Sequence, residues 1–238
     1  MPQILFYLIV LTLLVLVAVK SRKLTLAGGV AGGIFAALIF YGVGLAGIAL
    51  LGAFFVLGTI VTSAGKKQKS ALGATDNPSG TRNVYQVGAN GGMAAILGMT
   101  AILYPAFSPQ ILLFISCAFS AATADTVSSE LGVLYGKNFR NIINLKPDQR
   151  GENGVVSIEG FLSGIAGSVC ISVIYGCFAG FAVHELIIII VAGTIGNIID
   201  SVLGATFERR GLIGNNAVNF LNTLAAVTAG LVMLKFVY

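Results

Sequence analysis

Charge is scarce in this chain. Only 10% of its 238 residues are Asp, Glu, Lys or Arg and 56% are apolar, whereas a soluble domain carries about 25% charged residues. With a mean hydropathy of +0.93, that balance excludes water as the solvent for most of the chain and leaves no sizeable soluble domain. Cysteine is sparse too. Cys117, Cys170 and Cys177 all lie inside apolar runs, so three thiols offer neither a disulfide framework nor a CxxC metal spacing, and they read as small core residues. The single histidine, His184, stands with Glu185 in a short external connection and reads as a solvated pair. No basic residue precedes the first apolar run, 3–19, while Lys20, Arg22 and Lys23 follow it. That is the reverse of a secretory signal, so the run is expected to remain as a helix.

What the chain does have is long apolar stretches. A bilayer core of about 30 Å takes roughly 20 such residues per helix. Polar or basic breaks separate stretches at 3–19, 24–40, 43–62, 84–104, 109–135, 157–179, 183–206 and 216–237. The breaks follow turn chemistry at Tyr41-Gly42, at Asp76-Asn77-Pro78-Ser79-Gly80, at Pro105 and Pro109, and at Arg150-Gly151-Glu152-Asn153-Gly154. The expected fold is all-α: a polytopic integral membrane protein of about eight transmembrane helices (seven to nine), with both termini external. It reads as one transmembrane domain over 1–238, with 3–62 as scaffold and 84–238 bearing the site.

If the connections alternate sides, thirteen of the fourteen basic residues fall on one face, and only Lys235 lies elsewhere. The positive-inside rule makes that face cytoplasmic. The pI of about 9.2 is then a consequence of topology, and no nucleic-acid partner is implied. Glycines within the spans, including Gly28, Gly29, Gly32, Gly33, Gly44, Gly47, Gly164 and Gly167, let helix backbones approach closely in lipid. Gly132 to Lys137 imitates a P-loop but is one residue short, lacks Ser or Thr after the lysine and follows a helix where a strand is required.

Four carboxylates interrupt the apolar stretches: Asp125, Glu130, Glu159 and Asp200. An acid in a transmembrane helix costs about 2.5–3.5 kcal/mol at its centre and marks a candidate site. Asp125, Glu130 and Asp200 lie toward the cytoplasmic ends of outside-to-inside helices, and Glu159 opens the next one, where an acid also suits a helix N-terminus. Asp125-Thr126-Val127 and Asp200-Ser201-Val202 each end a helix, and each is followed by a basic loop and a helix with a polar start; they read as a degenerate two-helix repeat. Helical spacing groups Asp125 with Ser128 and Ser129, Asn197 with Asp200, Asn216 with Asn219 and Asn222, and Gln86 with Asn90. Such amides also serve as interhelical glue. Two aspartates with nearby hydroxyls and amides suit Mg²⁺, which takes one or two carboxylates plus substrate phosphates.

The runs Arg82 to Asn90, Thr123 to Gly132 with Gly136-Lys137, Gly151 to Gly160, and Gly196 to Ser201 with Gly204-Ala205-Thr206 resemble the integral-membrane family that includes phytyl phosphate kinase of chloroplasts and cyanobacteria. That family is distantly similar to CTP-using dolichol and phytol kinases and to CDP-diacylglycerol synthase. The resemblance implies nucleotide-dependent phosphorylation of an isoprenyl monophosphate, with CTP favoured over ATP. On that expectation Asp125 and Asp200 hold Mg²⁺ on the donor phosphates, and Glu130 and Glu159 ligate metal or orient Lys137. Lys137, Arg140, Lys146 and Arg150, with Asn153, Ser128, Ser129 and Asn197, serve the donor and acceptor phosphates. Gln86, Asn90, Asn216 and Asn219 face the substrate. Two other readings are kept: a transporter of a small or anionic solute, since intramembrane acids and repeats occur there too, and a cytidylyltransferase forming a CDP-lipid.

Overall fold

The computed structural model describes residues 2–71 and 80–237; the turn expected at 76–80 falls, except for Gly80, outside them. The helices are α1 (Pro2–Lys20), α2 (Leu26–Ser63), α3 (Lys66–Ala71), α4 (Val84–Leu103), α5 (Ser108–Tyr135), α6 (Ile158–Ala179), α7 (Val183–Leu203) and α8 (Asn215–Leu234). A 3₁₀ turn at Pro105–Phe107 leads into α5, and a π-helical turn at Gly204–Glu208 extends α7. The strands β1 (Arg140–Asn141) and β2 (Val155–Val156) pair antiparallel within the α5–α6 connection.

Among the described residues six helices are long and apolar enough to cross a membrane. Two features separate this from the eight expected stretches. The described apolar part of α1, Ile9–Lys20, is shorter than a span. The stretches at 24–40 and 43–62 are joined into α2, whose 38 residues would reach about 57 Å if straight. It is not straight. Gly44 takes φ 73° and ψ −155°, a region reserved for glycine, and Lys23, just before α2, donates to Ser63 Oγ at its far end over 3.1 Å. The two halves therefore run back along each other, and both outer ends of α2 lie on one face of the bundle.

Helix α5 is the axis of the molecule, packing against α2, α4, α6, α7 and α8. Its middle, from Ile115 to Ala124, is almost entirely enclosed, and Phe119 stacks on Phe54 of α2 with ring centroids 5.8 Å apart. Small residues set its distance from α6: a Cβ on Gly164 would come within 2.9 Å of the Ala124 carbonyl and 2.8 Å of Asn197 Nδ2, as close-packed helices in lipid require. That contact brings α5, α6 and α7 together around Asp125.

Two expectations are corrected. Only Cys117 is buried; Cys170 and Cys177 are exposed on α6, because in a bilayer an apolar side chain needs no protein cover. His184 and Glu185 belong to the first turn of α7, where Glu185 accepts from the buried Tyr175 hydroxyl at 2.9 Å. Glu185 and Lys235 line a second depression at the end of the bundle that holds Gly42 and Ser108.

Candidate functional site

At the opposite end the basic connections meet. Thr25 N donates to the Arg82 carbonyl, Arg82 N donates to the Lys23 carbonyl, and the Arg209 side chain donates to the Asn153 carbonyl. Between them lies a cavity of about 380 Å³. Three helices begin at its wall. Asn83 and Gln86 close a capping box on α4, with Asn83 Oδ1 accepting from Tyr85 N and Gln86 N, and Gln86 Oε1 accepting from Asn83 N, each at 3.0 Å. Ser157 caps α6 by accepting from Gly160 N at 3.1 Å, and Asn215 opens α8. Helix N-termini carry partial positive charge, so three of them around one cavity favour an anion.

The acids arrive from the other direction, on the C-terminal halves of α5 and α7. Asp125 and Asp200 both line the cavity, and their carboxyl groups meet within hydrogen-bonding reach. Asn222 of α8 donates to Asp200 Oδ2 at 2.8 Å; among the described residues its own buried Oδ1 has no partner. Two touching carboxyls must share a proton or a cation. Asn197, Ser201, Ser128 and Ser129 stand around them on the same wall. This donor set fits a divalent cation that completes its shell with substrate oxygens. Among the described residues no group of three or more His, Cys, Asp and Glu converges as a self-sufficient metal centre.

The same cavity also has cations in its lining. Lys69 is buried and bonds both Glu130 Oε2 at 2.6 Å and the Val61 carbonyl at 2.8 Å. Lys23 and Lys66 line the same space with Arg82, whose guanidinium lies 5.3 Å from the Phe54 ring centroid and 5.8 Å from that of Phe55. Burial lowers the Arg82 pKa from its ordinary value and Glu130 opposes the shift; the group remains a cation.

Residues 9–227 match the integral membrane protein family DUF92. The chain belongs to this family. It is 32% identical over 229 residues to an uncharacterized membrane protein of Methanocaldococcus jannaschii, covering 94% of this chain and 92% of that one. It is also 32% identical over 234 residues to the chloroplastic protein VTE6 of Arabidopsis thaliana, covering 93% and 70%, and 32% identical to an uncharacterized membrane protein of Synechocystis, covering 92% and 87%. No solved structure matches. The family is integral to the membrane, as the composition requires, and the resemblance read from residues 82–206 holds.

In this family member the cavity gathers Asp125, Glu130, Asp200, Ser128, Ser129, Asn153, Asn197, Gln86, Asn90 and Asn219 from the residues expected at the site. It does not gather Lys137, Arg140, Lys146, Arg150, Glu159 or Asn216. Arg140 Nη1 donates to the Leu145 carbonyl, and Arg150 donates to the Gly136 carbonyl while lying 4.7 Å from the Phe139 ring centroid. Lys146 and Asn216 are exposed. Lys137 is exposed as well, and its backbone N–H donates to Glu159 Oε2 at 3.4 Å. Arg140 and Arg150 thus knit the α5–α6 loop to itself. The cations at the cavity come instead from the α1–α2 connection, α3 and the start of α4, and Thr59, Thr62 and Ser63 of α2 join them. Their signal in sequence was weak: each is an ordinary basic or hydroxyl residue beside a span. Asn222 was legible as the third member of the polar face of α8.

Proposed function

We propose that this chain is a membrane-embedded phosphotransferase. It converts an isoprenyl monophosphate, such as phytyl or geranylgeranyl phosphate, to the diphosphate at the cytoplasmic face, with a nucleoside triphosphate as donor, CTP ahead of ATP. One observation carries the reading: Asp125 and Asp200, from separate helices, meet in a cavity that is also lined by Lys23, Lys69 and Arg82. Kinship with a chloroplastic relative is in keeping with the resemblance to the phytyl phosphate kinase family.

The acceptor is a phosphate monoester with a second pKa of about 6, so at neutral pH it is already a nucleophile and no general base is needed. An acceptor oxygen forms the new bond to the γ-phosphorus as the bond to the β,γ-bridging oxygen breaks, and the nucleoside diphosphate departs with that electron pair. The work left to the protein is positioning and charge neutralisation. Four cationic and five anionic side chains line the cavity, so its own charge does not neutralise a polyphosphate. Mg²⁺ held by Asp125 and Asp200 would supply that neutralisation. Asn222 orients Asp200, Lys69 holds Glu130 out of the acids' way, and the helix N-termini face the phosphates. The hydrocarbon tail remains in lipid beside the glycine-rich helices.

The test is purified protein in detergent with Mg²⁺, CTP or ATP, and farnesyl, geranylgeranyl and phytyl monophosphates. A lipid diphosphate is the expected product. A CDP-lipid would instead identify a cytidylyltransferase, and flux of a polar solute into proteoliposomes without nucleotide would identify a transporter. The acids' position toward one face argues against the transporter, whose coupling sites sit near the midplane.

A further inference from the structure

Among the described residues, Arg82 is a cation at the cavity whose guanidinium meets no side-chain acceptor. Its neighbour Lys69 is committed to Glu130 and the Val61 carbonyl, and Lys23 donates to Ser63. The Arg82 guanidinium lies against Phe54 and Phe55 and is seated on Gly58, where a Cβ would come within 2.5 Å of Nη2. Among the described residues it has no hydrogen-bond acceptor; Glu130 acts on it through charge without forming an ion pair. A mostly enclosed guanidinium without an acceptor is costly. This one is held rigid by two rings and opens onto the cavity, and its planar fork matches two oxygens of a phosphate.

Its surroundings say which phosphate. Arg82 stands directly before the N-terminus of α4 and beside the Lys23 backbone, whereas Asp200 is held by an asparagine of α8. A polyphosphate with bound metal belongs to the carboxylates. Two and three positions on, Val84 and Tyr85 at the start of α4 are exposed, so a ligand anchored at Arg82 has apolar surface beside it along which a hydrocarbon chain can reach the bilayer.

We propose that Arg82 anchors a phosphate-monoester subsite, separate from the Asp125–Asp200 pair, which takes the headgroup of a lipid monophosphate with its tail along the exposed start of α4. Calling that ligand the acceptor rests on the proposed phosphotransfer; the subsite itself does not.

The experiment is calorimetric titration of the full chain in detergent, without nucleotide or Mg²⁺, using farnesyl monophosphate and, separately, inorganic phosphate. The wild type is expected to bind farnesyl monophosphate. Arg82→Gln should weaken it about tenfold or more, as loss of charge-assisted hydrogen bonds does, while Asp125→Asn should retain it. Inorganic phosphate should compete more weakly and with the same dependence on Arg82; competition that ignores Arg82 would mean that another group holds the headgroup and would overturn the proposal, as would a failure of phosphate to compete at all, which would mean that the tail alone selects the ligand. So would wild-type affinity in Arg82→Gln, or an equal loss in Asp125→Asn. If Arg82→Gln does not elute as a single species, Arg82→Lys decides: it keeps charge and stem but loses the fork, so weaker binding supports the subsite and unchanged binding ends it. A wild type that binds through Arg82 yet makes no diphosphate would sink the phosphotransfer reading and leave the subsite standing. Diphosphate formation with binding that ignores Arg82 would do the opposite.

Discussion

Lys69 Nζ and Glu130 Oε2 sit 2.6 Å apart, although sixty-one positions separate them in the chain. The pair ties the short helix α3 to α5 where the cavity's cationic wall begins. Lys69 keeps only 4% of its side-chain surface and Glu130 keeps 24%, so the lysine is the member that cannot tolerate losing its partner. Removing one member of a buried pair costs about 3–5 kcal/mol, while replacing both with apolar groups is often neutral. Glu130→Ala is therefore expected to lower stability by about 3 kcal/mol, toward the low end because Glu130 reaches solvent. Lys69→Met with Glu130→Leu should recover most of it. Thermal unfolding in detergent checks both, and a single variant as stable as the wild type would show that the pair is solvated in solution.

Gly44 makes the opposite kind of contribution, through the backbone alone. Its φ of 73° and ψ of −155° fold α2 back on itself, and no atom approaches within 4 Å of where a Cβ would stand. Any loss in Gly44→Ala is thus conformational, expected at about 1–3 kcal/mol. Gly52 lies in the second half of the same helix with equally open space around it. There alanine relieves a helix-interior glycine and should stabilise by about 0.5–1 kcal/mol. Opposite shifts in Tm for the two substitutions are the signature; shifts of the same sign would mean that the turn is not held by its glycine.

The aspartates were readable from sequence because an ionisable group inside an apolar run announces itself, and the recurring Asp-hydroxyl-Val pattern pointed at both partners. The reversal in α2 was readable to within a few residues, from the break at Tyr41-Gly42. Arg82, Lys23 and Lys69 were not readable as site residues. Their convergence depends on which ends of folded-back helices meet, and no local spacing encodes that. The loop from Lys137 to Arg150 misled for a related reason: basic side chains beside a membrane look alike whether they face a ligand or, as Arg140 and Arg150 do, satisfy their own loop's carbonyls. Cys170 and Cys177 mark the other limit, because hydropathy does not tell a lipid-facing side from a packed one.

The loop between β1 and β2 is pinned to the turn after α7 by Asp148 and Arg209, 2.8 Å apart. The Gln149 N–H and then the Arg209 side chain hold the Asp148 carboxyl below the ordinary carboxylate value. A depressed folded-state pKa stabilises above the unfolded value, about 3.9, and that contribution is lost as pH falls through the lower folded one. The Tm difference between the wild type and Asp148→Asn should therefore be positive and steady near neutrality and shrink below about pH 4. A difference that grows on acidification would reverse the assignment.

Orientation can be read by chemistry. Lys67 is exposed at the cavity end of the bundle and Lys235 is exposed at the other. In a chain whose three cysteines are replaced by alanine, Lys67→Cys should react with a membrane-impermeant maleimide only in inside-out vesicles, and Lys235→Cys only in right-side-out cells. Reaction of Lys67→Cys from outside would invert the sidedness drawn from the basic connections.

The carboxylate pair makes the most direct claim on mechanism. If Asp125 and Asp200 hold the metal, Asp125→Asn in correctly inserted protein should lower diphosphate formation by at least about a hundredfold, since a lost metal ligand forfeits several kcal/mol of charge stabilisation. Asn222→Leu asks a finer question. Asn222 reaches Asp200 at 2.8 Å, and among the described residues its own buried Oδ1 has no partner, so its one side-chain bond is the one that orients the carboxylate. Its loss should cost about 10- to 100-fold, as outer-sphere partners of metal ligands do. Part of that loss should return at raised Mg²⁺, because the ligand is still present and only its aim has changed; Asp125→Asn should show no such rescue. Equal behaviour of the two variants across a Mg²⁺ titration would mean that Asn222 holds the helices together and has no special hold on Asp200.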